Sequence, residues 1–239
     1  MSTLPGSARA VVIGAGIVGN SMAHHLWRQG WSDIVLLDKG PFPNPGGSTG
    51  HASNFIFPVD HSKEMTALTL ESVRQYKDLG VFTESGGIEV ARTEERMQEL
   101  QRRMSSAAAW GVEPVSIVTP AEIKELVPFI DESVIVGGFS SPGVGVVDSL
   151  RAGTIMRERA QEAGALTVSP LTEVLGIDVE HGRVRRVRTT RGDIEAEVVV
   201  IACGVWSPRI ARMAGATIPL TPAVHQMIDV GPVPRFADA

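Results

Sequence analysis

Three glycines at a fixed spacing constrain this chain more than any other feature. Gly14-Ala15-Gly16-Ile17-Val18-Gly19 follows a short, mostly apolar run, Arg9–Ile13, and leads into Ile17–Gln29. The apolar run has the length and character of a buried parallel strand. The stretch after it reads as a helix that Gly30 is placed to end. Ile34–Leu37 is a second apolar strand, and it stops at Asp38, with Lys39 next. Strand, helix and strand within about 30 residues is what a right-handed crossover needs. In that setting the first glycine allows a tight turn, the second lets backbone approach a pyrophosphate, and the third lets helix pack on strand. The amides that open the helix, around Gly16, Ile17 and Val18, present N–H groups and a positive dipole end to phosphate. Asp38 lies 19 residues beyond Gly19, where a carboxylate can accept hydrogen bonds from ribose hydroxyls. The plain alternative is a mere tight turn, and the strand before, helix after and acid at the right distance all speak against it. Residues 9–38 are a dinucleotide-binding unit, with NAD or FAD left open.

Gly40–Asp60 is rich in Gly, Pro, Ser and Asn and has no period, so it reads as a long loop. Helices are predicted at Ser62–Leu79, at Thr93–Trp110, from Thr119 and at Asp148–Ala163, the last closed by Gly164. Thr119-Pro120-Ala121-Glu122 has the form of a capping box with proline in its first turn. Gly87–Ala91 and Val134–Phe139 read as strands. Three strands between Thr172 and Ile201, turning at His181-Gly182 and at Arg191-Gly192-Asp193, read as an antiparallel meander. A helix over Trp206–Ala214 and a last strand over Val224–Val230 follow, and Gly231–Ala239 has no period. The order is mixed α/β with an antiparallel insertion.

Bulk properties remove whole classes of function. A net charge of -5 favours neither nucleic acid nor an anionic membrane surface. The longest apolar run, near Val198–Cys203, is far short of the ~20 residues that span a bilayer. A single cysteine, Cys203, excludes an internal disulfide and fits a reducing compartment. No targeting pattern is visible near the N-terminus, so a cytoplasmic location is expected. No Cys/His set has metal-ligand spacing, and no metal is expected.

Three further stretches carry chemistry. Gly46-Gly47-Ser48-Thr49-Gly50-His51-Ala52 follows the second strand. Val198–Ile201 is a buried strand ending in Ala202-Cys203-Gly204, with Trp206 opening the next helix. Pro219–Gln226 carries His225. Together these stretches resemble flavoenzymes of the D-amino-acid oxidase and glycine oxidase type, and within them the dimethylglycine and sarcosine dehydrogenase or oxidase branch. The resemblance runs from the first strand to about residue 235. It implies an α/β fold: a Rossmann-like FAD-binding domain of the two-dinucleotide-binding type, with an antiparallel meander and part of an α+β substrate domain. The implied division is an FAD-binding domain over 1–90 and 146–218, a substrate-domain excursion over 91–145, and a further substrate segment from 219 to 239.

The resemblance also implies roles. In that branch a Gly-Ser-Thr-x-His-Ala stretch lines the FAD and its histidine is bonded to the flavin 8α-methyl carbon. Gly47, Ser48, Thr49, His51 and Ala52 match it, with Gly50 at the variable place, so His51 is the expected attachment point. A neutral imidazole is a nucleophile near neutral pH, which makes the bond chemically reasonable. The plain reading of His51 alone is a hydrogen-bonded loop histidine. Cys203, Gly204 and Trp206 are expected to lie beside the cofactor, with Gly204 as a point of close backbone approach and Cys203 a packing residue. His225 is the expected group that sets the substrate amine's protonation, against the plain reading of a satisfied strand histidine. His24, His25, His61 and His181 read as surface, helix or turn residues. The implied reaction oxidises a C–N bond of a small N-methylated amino acid, dimethylglycine or sarcosine, by hydride transfer to the flavin. Oxygen or an electron-transfer flavoprotein is the expected acceptor. Such enzymes contain further substrate-domain strands, so the chain reads as an N-terminal fragment or truncated product. The alternative function is a non-catalytic, flavoprotein-like regulatory subunit or an inactive truncated fragment, and a third reading, an NAD-dependent enzyme, is disfavoured by the meander and the second glycine turn.

Overall fold

Near-continuous apolar runs in Ser7–Ile13 and Ile34–Leu37 bury both faces of two adjacent strands, and the architecture grows from that pair. The computed structural model describes residues 4–224 and 233–234. The first elements are β1 (Ser7–Ile13), α1 (Ile17–Arg28) and β2 (Ile34–Leu37), followed by a single 3-10 turn at Ser48–Gly50. The middle of the chain supplies β3 (Phe55–Ile56), α2 (Lys63–Asp78), β4 (Phe82–Glu84), β5 (Gly87–Ala91) and α3 (Glu94–Ala109). It continues through β6 (Ser116–Val118), α4 (Pro120–Leu126), β7 (Gly137–Ser141) and β8 (Gly145–Val147). The last part holds α5 (Ser149–Glu162), β9 (Leu166–Ser169), β10 (Val174–Glu180), β11 (Arg183–Thr189), β12 (Gly192–Ile201) and α6 (Ser207–Met213).

Two compact units result. Among the described residues, 4–52 and 148–224 belong to the first, and 53–147 to the second. The first holds a six-stranded sheet in the order β10-β11-β12-β1-β2-β9. β12, β1, β2 and β9 run parallel, while β10, β11 and β12 form the antiparallel meander. Because side chains alternate along a strand, β1 and β2 divide their residues between two cores. Ala10, Val12, Ile34 and Leu36 pack with Ala23 of α1 and Ala160 of α5 on one face. Val11, Ile13, Val35 and Leu37 pack with Val174, Val187 and Ile194 of the meander on the other.

The second unit has two three-stranded sheets, β3-β8-β4 and β5-β7-β6. Its main core gathers Val59, Leu100, Ala107, Val112 and Phe139. The helix starts read from the sequence have their physical caps. Ser62 accepts from the Met65 amide, Thr93 from Arg96 and Asp148 from Arg151, and Thr119 with Glu122 closes a reciprocal capping box.

Three sequence readings shift. The boundary expected at residue 90 lies inside the second unit, because β3 and β4 both pair with β8 and so tie residues 55–84 to 145–147. The strand expected at Val134–Phe139 is β7, starting at Gly137, because the Asp131 side chain takes the Ser133 amide and turns Glu132–Val134 into a 3-10 step. The loop expected over Gly40–Asp60 contains a 3-10 turn and β3. The strand β9, just after α5, is short and lacks a sequence signal of its own. Its place beside β2 comes from pairing alone. The strand expected at Val224–Val230 falls almost wholly outside the described residues. No helix among those described is long and apolar enough to cross a membrane.

Candidate nucleotide site

Register brings the site together. Ile13 of β1 stands level with Leu37 of β2 and Ile201 of β12, and Leu37 with Ser169 of β9. The residues that follow these strand ends, Gly14, Asp38 and Ala202, therefore emerge side by side at the carboxyl edge of the parallel strands. Open α/β sheets bind their ligands at that edge. Backbone bonds lock the arrangement: the Gly14 amide donates to Leu37 O at 2.8 Å, and the Ala202 amide to Ile13 O at 2.8 Å.

Steric room explains two of the three glycines. Gly14 has φ +104°, and a Cβ there would lie 2.5 Å from Ala202 O. A Cβ on Gly19 would lie 1.7 Å from Gly14 O, so α1 can approach the turn only because Gly19 has no side chain. Gly16 is the N-cap of α1 and supplies no side-chain cap, as a glycine must. The cap comes instead from 32 residues away: Thr49 Oγ1 accepts from the Ile17 amide at 2.9 Å. One of the four orphan donors of the helix start is thereby satisfied from the second loop. Val18 is exposed beside it.

Asp38 is tied into the backbone. Its Oδ2 accepts from the Ala15 amide at 2.7 Å and its Oδ1 from the Gly40 amide at 2.8 Å. A carboxylate offers about four lone-pair sites, so about two are left for another partner. The loop after it is pinned at Thr49, whose carbonyl accepts from the buried Ser149 hydroxyl at 2.8 Å. The 3-10 turn continues into the amides of His51 and Ala52, both of which donate to Ser48 O. A Cβ on Gly50 would meet the Asn44 amide group at 2.6 Å, so the "variable" place of the motif is sterically occupied here. His51 is exposed, and its Nδ1 lies 2.9 Å from Gly47 O. A carbonyl can only accept, so Nδ1 carries a proton and Nε2 is the ring nitrogen turned away from that bond.

The second turn completes the edge. Cys203 Sγ donates to Ile13 O at 3.1 Å, and burial together with the Asp38 charge pushes the thiol up to about 11. It is a protonated packing residue of the core that includes Val11 and Leu37. Gly204 has φ +51°, and a Cβ there would meet nothing within 4 Å, leaving its outer side open to a ligand. Trp206 is exposed, lies 3.9 Å from where a Gly47 Cβ would stand, and has Lys39 Nζ at 5.5 Å from its ring centroid. His225 lies outside the described residues.

Sequence reasoning missed three groups. Asn20 is buried against the glycine turn, and a polar residue on the buried face of α1 was a visible signal. Ser149 and Arg157 left none, since helix α5 meets α1 and the Thr49 loop only in three dimensions. His24 is buried too: its Nδ1 lies 3.2 Å from Met156 O, and burial lowers its pKa.

A glycine turn, an acid and a second turn at the carboxyl edge of a parallel sheet define a dinucleotide-binding α/β protein. The match to the family of FAD dependent oxidoreductases extends over residues 9–239, and the chain belongs to that family. It is similar to human sarcosine dehydrogenase, at 31% identity over 94% of this chain and 26% of that one. It is also similar to dimethylglycine dehydrogenase of Rattus norvegicus, at 29% over 95% of this chain and 27% of that one. Among solved structures, L-proline dehydrogenase from P. horikoshii superposes with a TM-score of 0.82 at 29% identity, covering 89% of this chain and 57% of that chain. The chain thus spans about a quarter of the length of the two curated relatives. The residues present fit FAD on the structure's own terms. Gly14 and Gly19 clear the turn, Asp38 keeps two lone-pair sites, and Gly204 opens on free space.

Proposed function

We propose that the first unit carries FAD joined covalently to His51, and that the protein oxidises the C–N bond of a small N-methylated amino acid such as dimethylglycine or sarcosine. The observation that carries this reading is the His51 ring: exposed, held through Nδ1 by Gly47 O, and offering Nε2 for a bond to the flavin 8α carbon. When bound, FAD would supply the two-electron acceptor for that oxidation. The chain's own residues do the holding. The turn Gly14–Gly19 takes the pyrophosphate at the start of α1, Asp38 takes the ribose, and Lys39 and Trp206 flank the loop that carries His51. The motif residues Gly47, Ser48, Thr49 and Ala52 set the path of that loop. His225 accepts the proton whose loss leaves the substrate amine neutral, since C–H cleavage needs an available nitrogen lone pair. Oxygen or an electron-transfer flavoprotein takes the electrons onward, and a reducing compartment such as the cytoplasm suits the lone Cys203.

The test is the visible spectrum after acid precipitation. Yellow colour is expected to stay with the denatured protein and to be lost in His51→Ala. A folded, colourless product would favour the regulatory-subunit reading instead. Anaerobic bleaching by sarcosine, dimethylglycine or proline then separates the substrates.

A further inference from the structure

Asn20 is 3% exposed, yet all the hydrogen-bonding capacity of its amide NH2 is used. Nδ2 donates to Ala15 O at 2.7 Å and to Gly16 O at 3.1 Å. Arg157 Nη1, from α5, donates to Asn20 Oδ1 at 3.3 Å. A guanidinium can only donate, so this contact decides which end of the amide faces the turn. Arg157 is itself buried, with Phe42 stacked 4.6 Å from its guanidinium carbon, which holds it in place. Gly153 of α5 makes the room: a Cβ there would stand 3.0 Å from Asn20 Nδ2.

We infer that Asn20 is a positioning residue that aims the Gly16 amide of the glycine turn at the cofactor's pyrophosphate. The reason is the planar peptide. In a trans peptide the C=O of one residue and the N–H of the next point in opposite directions, and neither peptide here is cis. Pinning Ala15 O therefore turns the Gly16 N–H outward, and at Gly16 O the side chain joins the Asn20 backbone amide, 3.0 Å away, in turning the Ile17 N–H outward. The Ile17 amide does point away from Asn20, at Thr49 Oγ1. An aliphatic residue would fill the space and leave Ala15 O without its bond, while Gly16 O would keep only the bond from the residue-20 backbone amide, and an aspartate would set two acceptors against two acceptors.

The inference rests on the reading that the first unit takes FAD, so the experiment separates the two. In a His51→Ala background, which cannot form the proposed covalent bond, FAD, ADP and riboflavin affinities are measured for the full chain and for Asn20→Leu, Arg157→Met and His24→Gln. His24 sits on the same face between α1 and α5 and bonds Met156 O, away from the turn, so its variant reports loss of helix packing alone. Hydrogen exchange of the segment 14–20 is followed without nucleotide. Asn20→Leu is expected to weaken FAD and ADP by the same factor, about tenfold or more, and to leave riboflavin unchanged. Arg157→Met is expected to weaken them less. Exchange over 14–20 is expected to quicken in Asn20→Leu and not in His24→Gln. Nucleotide affinities within about twofold of the parent, or an equal loss in His24→Gln, would overturn the inference. If the parent binds neither nucleotide, the FAD reading falls. The exchange arm then still decides, and unchanged exchange in Asn20→Leu overturns the role of Asn20.

Discussion

The glycine turn and the histidine loop belong to the same compact unit, but they are held by different physics. The turn, Gly14–Gly19, is fixed by exclusion. Gly14 meets Ala202, Gly19 meets Gly14, and Asn20 closes the buried side, so there is no second place for the backbone to go. The loop, Gly46–Ala52, is mostly exposed and is held by single hydrogen bonds, chiefly Ser149 to Thr49 O, the Ile17 amide to Thr49 Oγ1 and His51 to Gly47 O. The difference suits the proposed division of labour. A part that must present fixed donors to a pyrophosphate gains from being incompressible. A ring that must reach a reactive carbon gains from a loop that can adjust.

Substitutions can break that contrast. Gly19→Ala puts a methyl group 1.7 Å from Gly14 O, and backbone on both sides cannot yield cheaply. The expected loss is on the order of 3 kcal/mol, read as a shift in the urea midpoint. A small effect would mean that the turn is as adjustable as the loop. Ser149→Ala removes one pin of the loop and is expected to cost about 1 kcal/mol, with a weaker hold on FAD and no change in the sheet core. Amide exchange confined to 47–52 would sharpen the contrast, and exchange spreading into 9–19 would erase it.

The second turn gives a pH-dependent test of how dry the strand edge is. Cys203 is raised from 9.0 to about 11, chiefly by burial. The folded protein therefore keeps a proton that the unfolded chain releases, and stability should fall as pH rises between those values. Cys203→Ser keeps a donor for Ile13 O and does not titrate there, so its slope over that window should be flatter. Identical slopes would mean that the thiol is wet. The smallest expected effect on the fold is that of His51→Ala. An exposed loop side chain with one local bond should shift stability by no more than about 0.5 kcal/mol. A larger shift would make His51 a structural residue and remove the reason for placing the flavin bond there.

Much of the turn was legible before any coordinates. Gly14, Gly16, Gly19 and Asp38 announce themselves because strand, turn and helix are local, and their spacing survives in one dimension. The resemblance of Gly47–Ala52 and of the turn at Cys203–Gly204 to flavoenzymes added the family. Asn20 was half legible, as a polar residue on the face of α1 that the helical period buries. Ser149, Arg157 and the cap that Thr49 supplies to α1 were not, because each partner lies 32 or more residues away and no short-range pattern encodes the contact.

The sequence by itself determined the crossover unit, the meander, the helix caps and the family, since each depends on periodicity, capping chemistry or glycine geometry within a short window. Only the tertiary structure decided that Asp38 spends two bonds on the Ala15 and Gly40 amides. It alone decided that residues 53–90 side with 91–147, and that the close approach to Gly14 comes from Ala202. Those outcomes depend on which strands pair and in what register. Pairing is settled by the summed burial of two whole faces, which no single segment contains.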